Sequence, residues 1–95
     1  MDRVKNKVVI ITGAASGLGK ADAMLLSEEG AKLVLSDINV EGGKRVAQEC
    51  RNDALFFEQD VSNESSWPDL IETTIAEFGR LDVLVNNAGI TTIGN

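Results

Sequence analysis

The densest chemistry in this sequence lies just after a run of Val and Ile, in Thr12-Gly13-Ala14-Ala15-Ser16-Gly17-Leu18-Gly19. The glycines follow a G-x-x-x-G-x-G spacing, which departs from the more familiar G-x-G-x-x-G. Glycines this close together have a mechanical use. One permits a tight turn, one lets a phosphate approach the backbone, and one lets the next helix pack close to the preceding strand. The free N–H groups of that helix's first turn, at its positive dipole end, then suit a pyrophosphate. Ser16 adds a hydroxyl that can donate to a phosphate oxygen. Gly13, Ser16, Gly17, Leu18 and Gly19 are the candidate phosphate-binding residues.

A second feature stands eighteen residues past Gly19, where Asp37 closes Leu33-Val34-Leu35-Ser36. That is near the roughly 20-residue offset at which a carboxylate grips the hydroxyls of an adenosine ribose. The plain alternative is a solvated Asp opening a turn before Asn39; the glycine loop upstream favours the ribose. A carboxylate there repels a 2′-phosphate, and Ala15 and Ile38 offer no basic side chain to counter it, so NAD is expected over NADP. Asp60-Val61 and Asn86-Asn87-Ala88-Gly89 end two further apolar runs. On spacing alone, Asp60 suits either an adenine amino group, with Val61 against the ring, or a turn. Asn86 and Asn87 can be turn formers, and Gly89 can simply supply positive φ.

These residues need elements to hold them. Four short apolar runs recur, Val8 to Thr12, Leu33 to Ser36, Ala54 to Phe57 and Leu81 to Val85. They are mostly uninterrupted rather than alternating, which suits strands of a parallel sheet buried on both faces. Between them lie helical patterns. Leu18, Ala21, Met24 and Leu25 share one face of the first helix, with Gly30 as its stop. Val46, Ala47 and Cys50 form the second stripe, and Ile71, Thr74, Ile75 and Phe78 the third, ended by Gly79. Ser62 is a plausible N-cap for the third helix, yet Pro68 would then lie too deep; Ser65 or Ser66 places it in the first turn. The resulting βαβ crossovers are right-handed almost without exception. The chain reads as one α/β layer structure over 1–95, with small, polar or glycine residues at every strand C-terminus. That is the edge where open α/β sheets bind ligands.

Composition narrows the partners. Formal net charge is −6 over 95 residues, which argues against nucleic acid or an anionic membrane, since both call for a basic face. No apolar run approaches the roughly 20 residues of a membrane span. Cys50 is the only cysteine, so no intramolecular disulfide forms and a cytoplasmic chain is expected. Its place in the second stripe makes it a packed thiol. There is no His and no Tyr.

Taken together, Thr12 to Gly19, Asp37, Asp60-Val61 and Asn86-Asn87-Ala88-Gly89 resemble the short-chain dehydrogenase/reductase family, in order and spacing, from Lys7 to about Thr91. The resemblance implies the first part of a Rossmann-type parallel sheet in strand order 3-2-1-4. It implies that Gly13 to Gly19 cradle the phosphates of NAD, Asp37 holds the adenosine ribose, and Asp60 and Val61 line the adenine pocket. Asn87, Ala88 and Gly89 would border the nicotinamide-side ribose, and Asn86 would brace the sheet centre. It further implies an NAD(H)-dependent oxidoreductase interconverting a secondary alcohol and a ketone, homo-oligomeric when complete.

The departure from the family lies in its catalytic residues. Members use a Tyr, a Lys four residues later, a preceding Ser and usually a further Asn, all beyond this region. The Tyr hydroxyl exchanges a proton with the substrate oxygen, and the Lys lowers its pKa. Neither Lys20 nor Lys44 lies in such a motif, and the alkyl hydroxyls of Thr91 and Thr92 are far less acidic than a phenol. No residue is assigned as catalytic or metal-binding, and the chain alone is expected to be inactive. Leu81 to Asn86 has the composition of a central strand but would form an open edge, so an incomplete domain is expected. The alternative reading is a non-catalytic nucleotide-binding or assembly module, or a truncated fragment without activity of its own.

Overall fold

The computed structural model describes residues 4–86 and, for the backbone alone, 89–92. Strand β1 (Val8–Thr12) is buried along its whole length. Its side chains alternate between two cores, Val9 and Ile11 in one and Ile10 in the other, as the two-residue period of a strand requires. A strand apolar on both faces needs cover on both faces and neighbours on both edges. Strand β2 (Lys32–Asp37) pairs parallel on one side, with Ile10 opposite Val34; β4 (Val83–Asn86) pairs parallel on the other, with Ile10 opposite Leu84. Beyond β2 lies β3 (Ala54–Glu58), also parallel. The expected order 3-2-1-4 is therefore found.

The expected open edge on β4 is not. A fifth strand, β5 (Gly89–Thr92), turns back antiparallel along it, with Asn86 opposite Gly89. Ile90, Thr91 and Thr92 are β-branched, which suits a strand position.

Helices α1 (Gly17–Glu28) and α2 (Val40–Glu49) cover one face, and α3 (Ser66–Phe78) the other. The buried stripe of α1 differs from the expected one. Gly19, Ala23 and Ser27 face the sheet, whereas Leu18 and Leu25 are 81% and 58% exposed. Val9, Ile11, Leu33 and Leu35 already fill the space between the layers from the sheet side. The fully buried positions of the helix are therefore small, while Met24, from the expected stripe, and Leu26 pack against the same core partly buried. In α2, Val46 is buried, with Ala47 and Cys50 packed against the same core. Gly43 lets α2 press onto β3: a Cβ there would run into the Phe56 ring, with Cζ at 2.9 Å. Burial raises the pKa of the Cys50 thiol; a hydrogen bond with Ser27 offsets part of the rise, and nearby Glu49 adds to it.

Helix α3 starts after Ser65, not Ser62, so Pro68 falls in its first turn, where its missing N–H costs nothing. Leu70 and Thr74 are buried, with Ile71 and Phe78 packed alongside. Ile75, expected inside, is 48% exposed. Gly79 ends the helix in the left-handed region at φ 81°.

At the N-terminal edge of the sheet, Asp82 ties β4 to β1. Its Oδ2 accepts from the Val8 N–H at 2.8 Å, while its own N–H donates to the Val8 carbonyl at 2.9 Å. The Arg80 guanidinium donates to Oδ1 at 2.6 and 3.1 Å. Burial opposes ionisation of this carboxyl. The Arg80 bonds, the Val8 N–H and the charges of Arg80 and Lys7 outweigh it and hold the pKa below the usual Asp value.

Candidate dinucleotide site

The C-terminal ends of the four parallel strands meet at a cleft of about 170 Å³. Thr12 and Gly13 follow β1 into it, Asp37 and Ile38 come from the end of β2, Gln59, Asp60 and Val61 from beyond β3, and Asn86 from β4. A larger groove of about 440 Å³ opens at the opposite edge, beside Lys32, Asp53 and Glu77. It faces strand starts and the C-terminal end of α3, whose dipole and carboxylates repel anions. The smaller cleft has the better chemistry.

The glycine loop is built for close approach. Gly13 and Gly17 take φ of 65° and 58°, a region that costs an L-residue about 1–2 kcal/mol. At Gly19 the restriction is steric. A Cβ would collide with the Gly13 carbonyl, lying 2.7 Å from its carbon and 3.0 Å from the Ala14 Cα. The helix therefore begins directly against the turn. Ser16 occupies the N-cap in extended conformation but makes no side-chain cap bond, and the first turn holds no acidic residue. By contrast, Asn39 caps α2 by accepting from the Gly42 N–H, and the first turns of α2 and α3 carry Glu41 and Asp69. At the start of α1 neither a side-chain cap nor a first-turn carboxylate competes for the helix amides, a setting that suits an anion. Ser16, Gly17 and Leu18 are exposed there and Gly19 is buried.

Asp37 is bound to this loop. Its Oδ2 accepts from the Ala15 N–H at 2.9 Å and its Oδ1 from the Asn39 N–H at 2.9 Å. Just behind it, the Ala14 N–H donates to the Ser36 carbonyl at 3.1 Å. A carboxylate offers about four lone-pair sites, so two backbone donors leave capacity for a ribose diol. Asp60 shows the turn role that its spacing also allowed. Its Oδ1 accepts from the Ser62 N–H at 2.9 Å and the Ser62 hydroxyl at 2.6 Å. These bonds hold its pKa below the usual value, the side-chain bond most strongly, so Asp60 is an anion and acceptor at neutral pH. Neither bond uses Oδ2. Both carboxylates face the cleft, and no Lys or Arg lines it among the described residues.

Gly89 opens β5 opposite Asn86; Asn87 and Ala88 lie outside the described residues. Three lining residues are additions to the sequence reading. Thr12 follows from strand length. Ile38, 69% exposed, joins the expected Val61, 50% exposed, in giving the cleft apolar surface from two neighbouring strand ends, where a planar base can rest; an exposed aliphatic beside Asp37 was the available signal. Gln59 carried none, because a lone amide in a sequence reads as surface. Among the described residues, no group of three or more His, Cys, Asp or Glu can hold a metal, and no helix is long and apolar enough to cross a membrane.

A parallel sheet flanked by helices, with a glycine loop and a carboxylate meeting at its strand C-termini, defines a Rossmann-type nucleotide-binding unit. The chain belongs to the short chain dehydrogenase family, whose model matches residues 7–95. It is 47% identical to a cyclopentanol dehydrogenase from Comamonas sp., over 98% of this chain and 38% of that enzyme. Two solved structures share its fold. A short chain dehydrogenase/reductase from Burkholderia phymatum in complex with NAD matches with a TM-score of 0.84 at 32% identity, covering 88% of this chain and 31% of that one. A 3-ketoacyl-(acyl-carrier-protein) reductase from Brucella melitensis complexed with NADH matches at 0.81 and 37%, covering 85% and 33%. The chain thus spans between three and four tenths of the length of these proteins.

Proposed function

We propose that this chain is the cofactor-binding portion of an NAD(H)-dependent oxidoreductase that interconverts a secondary alcohol and a ketone. The observation that carries the reading is the Asp37 carboxylate, fixed to the glycine loop through Ala15 and facing the same cleft as Asp60 and Val61. It supports reading Asp37 as a diol acceptor beside an anion-binding helix start, the pair of features that an adenosine diphosphate moiety requires.

Each part has a separate task. The N–H groups at the start of α1, with the Ser16 hydroxyl, bind the pyrophosphate. Asp37 accepts from the adenosine ribose hydroxyls, and its charge excludes a 2′-phosphate. Ile38 and Val61 exclude water from the faces of the adenine, and Asp60, kept ionised by Ser62, accepts from its amino group. Asn87, Ala88 and Gly89 border the nicotinamide-side ribose. The bound nicotinamide supplies hydride transfer. Proton exchange at the substrate oxygen belongs to a Tyr and Lys outside this sequence, which contains no tyrosine. The dehydrogenase and reductase relatives support the reaction class.

The test is to express the full natural chain and titrate it with NADH and NADPH. Reduction of NAD is then followed with cyclic and acyclic secondary alcohols. Tight NADH binding with turnover of at least one alcohol is expected. Absence of NADH binding at millimolar concentration overturns the reading.

A further inference from the structure

Gln59 has no part in the scheme above, yet it is 2% exposed and lies beneath the cleft. An amide so deeply buried is costly unless both of its ends are bonded. Both are. Its Oε1 accepts from the Ser36 hydroxyl at 2.8 Å, and its Nε2 donates to the Ser66 hydroxyl at 3.1 Å. Its backbone N–H donates to the Asp37 carbonyl at 3.1 Å. Ser36 precedes Asp37 at the end of β2, and Ser66 is the first residue of α3. Gln59 itself precedes Asp60. One residue therefore connects the backbones that carry both carboxylates of the cleft.

The far side of the cleft rests on the same connection. The Ser66 hydroxyl lies 2.6 Å from the Asn63 carbonyl and 3.2 Å from that of Asp60. The Trp67 indole N–H donates to the Val61 carbonyl at 3.1 Å. The 60–63 turn is thus fastened to the start of α3, and Gln59 fastens the start of α3 to β2.

We propose that Gln59 is a positioning residue that sets the span between Asp37 and Asp60, and with it the affinity for the adenosine half of the cofactor. The inference rests on the cofactor reading given above. A side chain that only filled space would be replaceable by an apolar one of the same shape; one that sets a span through paired hydrogen bonds is not.

The experiment uses the full natural chain and two variants, Gln59→Leu and Ser66→Ala, with ADP-ribose and nicotinamide mononucleotide as separate probes in calorimetric titrations. Gln59→Leu is expected to weaken ADP-ribose about ten-fold, the effect of losing a buried bonded amide, and to leave nicotinamide mononucleotide unchanged. KM for NAD rises by the same factor while kcat holds. Ser66→Ala keeps the amide but removes one of its partners, along with the hydroxyl's bonds to the Asn63 and Asp60 carbonyls; it is expected to weaken ADP-ribose about three-fold and decides the question should Gln59→Leu not fold. The double variant is expected to be weaker by less than the product of the two single effects, because the two residues share one contact. Folded variants with wild-type ADP-ribose affinity overturn the inference. A wild-type chain that binds no ADP-ribose overturns the cofactor reading, and this inference falls with it.

Discussion

The Asp37 carboxylate accepts a hydrogen bond from the Ala15 amide at 2.9 Å, across 22 residues of sequence. The group proposed to hold the ribose therefore also holds the loop proposed to hold the phosphates. Changing Asp37 changes both, and the two contributions separate only when a variant keeps one of them.

Asp37→Ala removes the charge and the acceptors, and NADH affinity is expected to fall by about 1.5–3 kcal/mol, the range for hydrogen bonds to a charged group. Asp37→Asn keeps one oxygen for the Ala15 N–H and loses the charge together with the acceptor that the Asn39 N–H uses. It is expected to retain more NADH affinity than Asp37→Ala while losing discrimination against NADPH to the same degree. Parallel titrations with NADH and NADPH measure this. An unchanged affinity ratio in both variants would remove Asp37 from the ribose.

The loop glycines are expected to respond differently to the same small change. Gly17→Ala meets open space but a strained φ of 58°, so a loss of about 1–2 kcal/mol is expected. Gly19→Ala must displace the Gly13 carbonyl and with it the phosphate turn. It is expected to cost about 1–3 kcal/mol and to abolish detectable NADH binding. Urea unfolding of both variants, followed by titration of the folded proteins, makes the comparison.

Asp82 gives the fold a pH dependence of definite sign. Its pKa is lower when folded than when unfolded, about 3.9 for a free Asp. Its contribution is therefore complete above that value and is lost as pH falls through the folded pKa. Asp82→Asn is expected to be less stable than wild type by about 1–3 kcal/mol at neutral pH, with the gap closing in acid. Urea midpoints across a pH series test this; a gap independent of pH would mean that the charge of Asp82 contributes nothing.

Cys50 is expected to react slowly. Its raised pKa and contact with the core leave little thiolate at neutral pH. Alkylation of the native chain is expected to run several-fold slower than that of free cysteine, and to reach the free rate in denaturant. Equal rates would show that the C-terminus of α2 is open in the native state.

Much of the fold was legible because strand burial leaves a direct trace. The run Val8 to Thr12 read as a strand buried on both faces from its composition; its place between β2 and β4 came from the family resemblance. Asp37 was legible too, since its distance from Gly19 is fixed by the length of one helix and one strand. What escaped the sequence has a common physical cause. The inner face of α1 is defined by smallness, at Gly19, Ala23 and Ser27, and small residues give a weak hydrophobic signal. Gln59 and Ser36 are buried polar groups, identifiable only by partners that the fold brings together. β5 escaped because four residues of Gly-Ile-Thr-Thr are too few to separate a strand from a loop.

The central place of β1 has a consequence for how the chain is made. It leaves the ribosome before the two strands that flank it, and Asp82, which meets the Val8 amide, follows 74 residues later. At about 5–20 residues per second, that gap lasts roughly 4 to 15 s. Throughout it, Val8 to Ile11 is a short β-branched segment without its second neighbour, the kind that pairs readily with other chains. Lys5 and Lys7 stand immediately before it, where like charge keeps such segments apart. Translation arrested before Val83 should leave β1 open to protease, and arrest after Asn86 should protect it. Those two lysines then guard a hazard that exists only while the protein is being born.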